Sequence, residues 1–402
     1  MIRIIERRCR YVKICTISMA PVAGFKSFLE NIVSLMTRQG YEVTILYLSG
    51  QNKIPIKGTE ERVYELSEHI NEEYVDRSLT LRKNVRRVMF RLSSDRSSPY
   101  AVLKNNLFHS QTTAVYKAEA CEPKLDLTEF DCVLSAEEVQ CNYFLAYSVT
   151  AKKKIGYIHP DYSKTPYDKK CDRRALAKLD YVCATSKANA EAIKKALPSI
   201  KDKVIGIPNP INVAEIIQRS EEIGDVAFDN RMFNIITVCR LDNTYKALDR
   251  LLRIAERLKE AGDRFVWRII GDGEYRTTMQ TFISEHDLAS YVIWMGARSN
   301  PIPYVRASDL FVLQSYSEGY PMSVCEALAV STPVLVTNYP SASEQVVDGV
   351  TGYIVENNAE DIYAKLHAVI NDADGMACIR KKLESYDKSR FENIDELLNL
   401  IR

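Results

Sequence analysis

The chain has 402 residues, 46% hydrophobic and 27% charged, too long for one ordinary domain and apolar enough to build two cores. Lys and Arg number 54 against 53 for Asp and Glu, so no global field draws it to nucleic acid, and any attraction to anions is local. Ten cysteines lack a C-x-x-C pair and several (Cys15, Cys132, Cys183, Cys239) lie in apolar runs, which argues for reduced buried thiols against a disulfide frame or zinc site.

No apolar run reaches the length of a membrane span, and the opening MIRIIERRCR is too charged for a secretory signal, so a place on the cytoplasmic side is expected. Residues 11–17 predict a first strand, 18–24 a loop, 25–38 a helix and 42–48 a second strand. That order is a parallel-sheet unit, whose loop falls at the carboxyl edge where open α/β sheets bind ligands. Gly24 is the one glycine in this loop, either a close-approach point or a plain turn residue. In the stretch from Leu81 to Leu92 (LRKNVRRVMFRL), apolar residues fall on one helical stripe and Arg82, Lys83, Arg86, Arg87 and Arg91 on the other. Two readings stand, a helix lying on anionic lipid and a core-facing helix with a solvated basic face.

Residues 130–135 predict a strand, 138–149 a helix, and 154–158 a strand delivering His159 to the same edge, where Pro160 stops it. A lone histidine is more often structural than functional; Asp161 beside it either orients the ring or touches substrate. A strand at 181–186, a helix at 187–196 and a strand at 204–208 complete the first lobe, and polar sequence at 213–230 reads as the crossing to a second.

The second lobe opens with a strand at 232–239, followed by Arg240-Leu241-Asp242-Asn243-Thr244-Tyr245-Lys246 and a helix at 247–261. Arginine as a bidentate fork and lysine as a point charge suit a diphosphate at that edge, although basic loop residues are commonly just solvated. The strand at 265–270 runs into Gly271-Asp272-Gly273-Glu274-Tyr275, but Arg276 stands where the last glycine of a dinucleotide fingerprint belongs, so a nicotinamide enzyme is disfavoured. A further strand is expected at 291–295. Asp372-Ala373-Asp374 superficially matches a metal-holding pair but lies between two helices, where a helix N-cap is expected.

The stretch 309–334, DLFVLQSYSEGYPMSVCEALAVSTPV, organises the rest. It predicts a buried strand at 310–314, a turn at 315–320 and a helix beginning near Pro321. Glu318 and Glu326 flank the helix start with seven residues between them. The unpaired amides around Met322, Ser323 and Val324 can hold an anion such as a phosphate. Carboxylates on either side of a phosphate seat suit a phosphorylated sugar compound; the plain alternative is a capped surface helix with two solvated glutamates.

The string from Glu318 to Ala329, with Thr332-Pro333-Val334 after it, resembles the signature of family 4 retaining glycosyltransferases of the GT-B fold. The resemblance extends to Arg240 and Lys246, with one extra residue between them than is usual, and to Asn209-Pro210-Ile211-Asn212, where Asn212 replaces the commoner aspartate. It departs at Val22-Ala23-Gly24, where relatives carry two adjacent glycines. It implies two Rossmann-like parallel-sheet lobes facing across a cleft: an acceptor-side lobe over 1–212, a crossing at 213–230, a donor-binding lobe over 231–385, and a last helix within 386–402 returning to the first lobe. It further implies transfer of a sugar from a UDP- or GDP-sugar to a hydroxyl of a glycan or lipid-linked acceptor, with retention and with neither metal nor cofactor, in cell-surface polysaccharide synthesis. His159, Glu318, Arg240 and Lys246 would act in catalysis, and Gly24, Gly271, Gly273, Met322, Ser323, Val324 and Glu326 would bind donor. A protein of this kind is expected in the cytoplasm or at the inner face of the membrane. A non-catalytic homologue that binds a nucleotide sugar or stabilises a partner enzyme is the competing expectation.

Overall fold

The computed structural model describes residues 12–18, 23–48, 56, 59–63, 111, 113–222, 225, 228–229 and 231–402. The chain divides into two compact units. One comprises Met1–Thr185, Ala190–Ile207 and Ile394–Arg402, and the other Ser186–Asn189 and Pro208–Asn393.

The first unit holds a seven-stranded sheet in the order Glu60–Val63, Glu42–Tyr47, Lys13–Ser18, Cys132–Ser135, Lys154–Ile158, Tyr181–Ala184, Val204–Gly206. The second holds six strands in the order Val292–Gly296, Phe265–Ile270, Phe233–Val238, Leu310–Leu313, Val334–Thr337, Gly352–Val355. Every neighbouring pair in both sheets is parallel. Parallel strands covered on both faces read as continuous apolar runs, which is why CVLS, LFVL and VLVT are buried at every position. Helices cover the faces: Leu248–Glu260 turns Leu248, Leu251, Leu252, Ile254, Ala255 and Leu258 inward at helical spacing. Trp267, wholly buried in the strand Phe265–Ile270, satisfies its indole by donating to Thr237 Oγ1 at 3.0 Å.

Several element ends shift by one or two residues, and three differences from expectation bear on the loops. The first helix is Ala23–Arg38, so Gly24 lies in its first turn and not in the preceding loop. The segment read as a crossing forms the helix Val213–Arg219, whose Ile216 joins a core with Val324, Cys325 and Leu328. Asn212 caps this helix, accepting from the Glu215 amide at 3.2 Å. The helix expected at 247–261 runs over Leu248–Glu260, and a short helix that was not expected, Asn243–Lys246, is split from it by Ala247 at φ 52°. Two caps in succession cause the split. Asp242 accepts from the Thr244 amide and Asn243 from the Asp249 amide, both at 2.9 Å.

Asp372 caps the helix Ala373–Glu384 through the Gly375 amide at 2.9 Å. The last helix, Asp395–Ile401, belongs to the first unit, where Lys153 Nζ meets the Leu400 and Ile401 carbonyls at 2.6 and 3.1 Å. Among the described residues nine cysteines are free and seven of them buried, and no helix is long and apolar enough to cross a membrane. The basic stretch 81–92 lies outside the described residues.

Candidate active site

Three adjacent parallel strands of the second sheet, Phe265–Ile270, Phe233–Val238 and Leu310–Leu313, end on one edge and deliver the loops 271–275, 239–247 and 314–321 there. Lys246 and Glu318, 72 residues apart in sequence, therefore meet, and Lys246 Nζ donates to Glu318 Oε1. Ser315 Oγ donates to the same oxygen at 2.5 Å. The pair is mostly buried, with side chains 21% and 12% exposed. Burial alone would pull the Lys246 ammonium down, but the Glu318 carboxylate, with a further contribution from Cys239, offsets it and the lysine is held above its usual value.

The helix Met322–Ala329 follows, with Pro321 before its first turn and no side-chain cap. Val324 gives its amide to the Pro321 carbonyl at 3.2 Å, so the anion seat proper is the amides of Met322 and Ser323, which make no hydrogen bond among the described residues. Gln345 pins the helix start, donating to the Pro321 carbonyl at 2.9 Å and to Cys325 Sγ at 3.0 Å while accepting from Tyr339 at 3.1 Å. Glu326 is buried, and its carboxylate makes no hydrogen bond among the described residues. Burial pushes its carboxyl up, and Arg219 partly counters this.

Arg240 is placed less closely. It pairs with Asp242, its side chain is 70% exposed, and its charge acts on Lys246 only as like-charge repulsion. Gly271 and Gly273 sit at φ 142° and 158°, where a Cβ would lie 1.8 Å from the Cys239 carbonyl oxygen and 2.6 Å from that of Leu241. In the structure their close approach is to the backbone of the Arg240 loop, which they allow to pack.

In the first unit His159 follows the strand Lys154–Ile158 and its Nε2 meets the Ala136 carbonyl at 2.9 Å. A carbonyl only accepts, so the neutral ring carries its proton on Nε2. Phe28 meets the ring edge-on at 4.6 Å between centroids and Tyr157 stacks at 5.6 Å. Burial brings the imidazole down to about 4, against a smaller upward pull from the Ala136 carbonyl, so it is neutral at pH 7. Asp161 accepts from the amide and hydroxyl of Ser163 at 2.9 and 2.6 Å, closing a turn. Sequence reasoning missed Glu138, whose carboxylate takes the His159 amide while its Oε2 is buried without a partner. Burial pushes it up to about 7.

Two parallel α/β units of this kind, with ligand loops on the sheet edges, define the GT-B architecture of glycosyltransferases. A point mutant of S. aureus TarM, solved in complex with fondaparinux, alpha-GlcNAc-glycerol and UDP, shares it at a TM-score of 0.67, with 14% identity over 97% of this chain and all of the other. Residues 218–389 match the family model of glycosyl transferases group 1. An uncharacterized glycosyltransferase of Methanocaldococcus jannaschii is 28% identical over 171 residues, 42% of each chain. The amylovoran biosynthesis glycosyltransferase AmsK of Erwinia amylovora is 29% identical over 141 residues, 33% of this chain and 34% of its own. The chain thus spans well under half the length of these curated relatives.

Proposed function

We propose that this chain is a retaining glycosyltransferase, moving a sugar from a UDP- or GDP-sugar to a hydroxyl of a glycan or lipid-linked acceptor in cell-surface polysaccharide synthesis. The observation that carries this is the mostly buried Lys246–Glu318 pair beside the two open amides of Met322 and Ser323. A departing diphosphate requires cations and N–H donors, and sugar and ribose hydroxyls require carboxylates; both kinds of group stand together here.

When donor binds, its diphosphate takes Lys246 and the helix amides, which frees Glu318 for the sugar hydroxyls or the positive charge developing at the anomeric carbon. Arg240 reaches the diphosphate from solvent as a fork, and Glu326, poorly hydrated in its buried position, accepts from the ribose hydroxyls. These fixed charges are worth most as the bond from anomeric carbon to diphosphate oxygen breaks. The acceptor oxygen bonds to the same face of that carbon and its proton passes to the leaving phosphate, so no side chain forms a covalent intermediate. His159, neutral and fixed by Ala136, hydrogen-bonds a sugar hydroxyl.

The test is release of UDP or GDP from a panel of nucleotide sugars with glycan acceptors. Acceptor-dependent release supports the proposal, binding without release marks a non-catalytic homologue, and the absence of nucleotide binding overturns it. Contact of 81–92 with the inner membrane face is tested separately by flotation with anionic vesicles.

A further inference from the structure

Strand pairing ends at Leu313, so the backbone leading to Glu318 must find hydrogen-bond partners outside the sheet. Arg250, only 7% exposed on the helix after Lys246, supplies one of them directly and holds the side chain that supplies two more. One arm of its guanidinium donates to the Gln314 carbonyl. The other donates at 2.8 Å to Asn357 Oδ1, and Asn357 in turn donates to the Ser315 and Tyr316 carbonyls at 3.3 and 3.0 Å. Gln314 closes the loop by donating to the Ala247 carbonyl at 2.9 Å, and the Tyr316 amide donates to the Tyr245 carbonyl at 2.8 Å. The turn that carries Lys246 and the turn that carries Glu318 are thus joined directly by Gln314 and the Tyr316 amide, and Arg250 adds a further tie from the helix that follows Lys246.

Arg250 makes no ion pair among the described residues, and its Nε is buried without a partner. Its charge rests on neutral oxygens and on the Tyr316 ring, 4.6 Å away. Burying a cation in this way is a poor route to stability, since an apolar residue of similar volume would avoid the desolvation. What the guanidinium provides is geometry, because its planar fork fixes two loops where a flexible ammonium would not.

We propose that Arg250 is a positioning residue which, directly through Gln314 and indirectly through Asn357, sets where Glu318 stands relative to Lys246 during sugar transfer. This rests on the glycosyltransferase function proposed above. Lys246 is a point charge on a flexible stem and follows a displaced diphosphate, whereas a carboxylate that must meet a developing charge tolerates little displacement. Loosening the tie therefore lowers turnover and spares nucleotide affinity.

The experiment compares Arg250→Lys, Asn357→Ala and Asn358→Ala by thermal unfolding, calorimetric titration of UDP and GDP, and kcat for transfer. Asn358 caps the next helix through the Asp361 amide and has no link to the 314–316 backbone, so its variant loses Tm with kcat unchanged. Arg250→Lys and Asn357→Ala are expected to bind nucleoside diphosphate within about threefold of wild type and to lose roughly 100-fold in kcat, the scale of a misplacement near 1 Å. Should Arg250→Lys fail to fold, the half-buried Asn357 position decides. An unchanged kcat in Asn357→Ala, or equal loss of affinity and turnover, overturns the positioning role. Wild-type protein that binds neither nucleotide overturns the underlying function instead, a result distinct from any ratio between variants.

Discussion

The loop edges of the two sheets are built from opposite materials. In the second unit the edge carries charge, with a lysine and a glutamate paired under partial burial, a second glutamate buried on the helix that follows and an exposed arginine. In the first unit the corresponding edge carries His159, uncharged at neutral pH and walled by Phe28 and Tyr157. Charged groups with fixed donors suit a charged leaving group, and a neutral oriented ring suits a hydroxyl. On the proposed function, stabilising charge and orienting sugar fall to different parts of the chain.

Breaking the charged edge should have the larger effect. Lys246→Ala and Glu326→Ala are each expected to lower transfer by about 100-fold or more, the scale of losing one fixed electrostatic contact, with parallel loss of nucleotide affinity by calorimetry. Arg240→Ala, exposed as it is, should follow with a smaller loss of the same kind, and unchanged turnover in all three would end the assignment. At the neutral edge, His159→Ala should cost roughly tenfold in kcat, as for one hydrogen bond of about 1.4 kcal/mol, with little change in donor affinity. Equal loss of both would make the ring structural.

A pH series sharpens the contrast. With its folded pKa depressed to about 4, His159 leaves the unfolded chain binding more protons between pH 4 and 6.5, so stability falls on acidification through that window. Glu138 does the reverse. Its pKa, raised to about 7, makes the folded state hold the proton, and stability is lost as pH rises from 4.5 to 7. The two slopes oppose each other where the windows overlap. Urea midpoints against pH should therefore fall toward acid in Glu138→Gln and toward neutral pH in His159→Gln, and parallel curves for both would refute the paired account. The smallest change is expected at Ala247→Gly: relief of the left-handed backbone, about 1–2 kcal/mol, is opposed by loss of a buried methyl, about 0.8 kcal/mol, and by glycine's greater unfolded entropy. Net change in unfolding free energy should stay within about 0.5 kcal/mol.

Much of this was legible in sequence because buried parallel strands leave unbroken apolar runs. Phe265–Ile270 and Lys154–Ile158 fall at their expected bounds for that reason. The glutamate stretch was legible because proline and local spacing mark a helix start. What stayed hidden depends on contacts between distant residues. Arg250 and Asn357 are 107 apart in sequence, and nothing local marks either as a partner of Glu318. The helix Val213–Arg219 did leave a trace, since Asn212 followed three residues later by Glu215 is a helix-start signature that the polar composition obscured. Gly271 and Gly273 were legible as close-approach points, but sequence alone did not show that the partner is the 239–241 backbone.

The central claim is that a diphosphate is held by Lys246, Arg240 and the amides of Met322 and Ser323. Its most direct test is calorimetric titration of a nucleoside diphosphate and the matching nucleoside into wild type and the Arg240→Ala/Lys246→Ala double variant. Wild type is expected to prefer the diphosphate by at least about 100-fold, from charge-assisted bonds of roughly 1.5–3 kcal/mol each, and the double variant to lose most of that preference. A preference of equal size in both proteins would contradict the account.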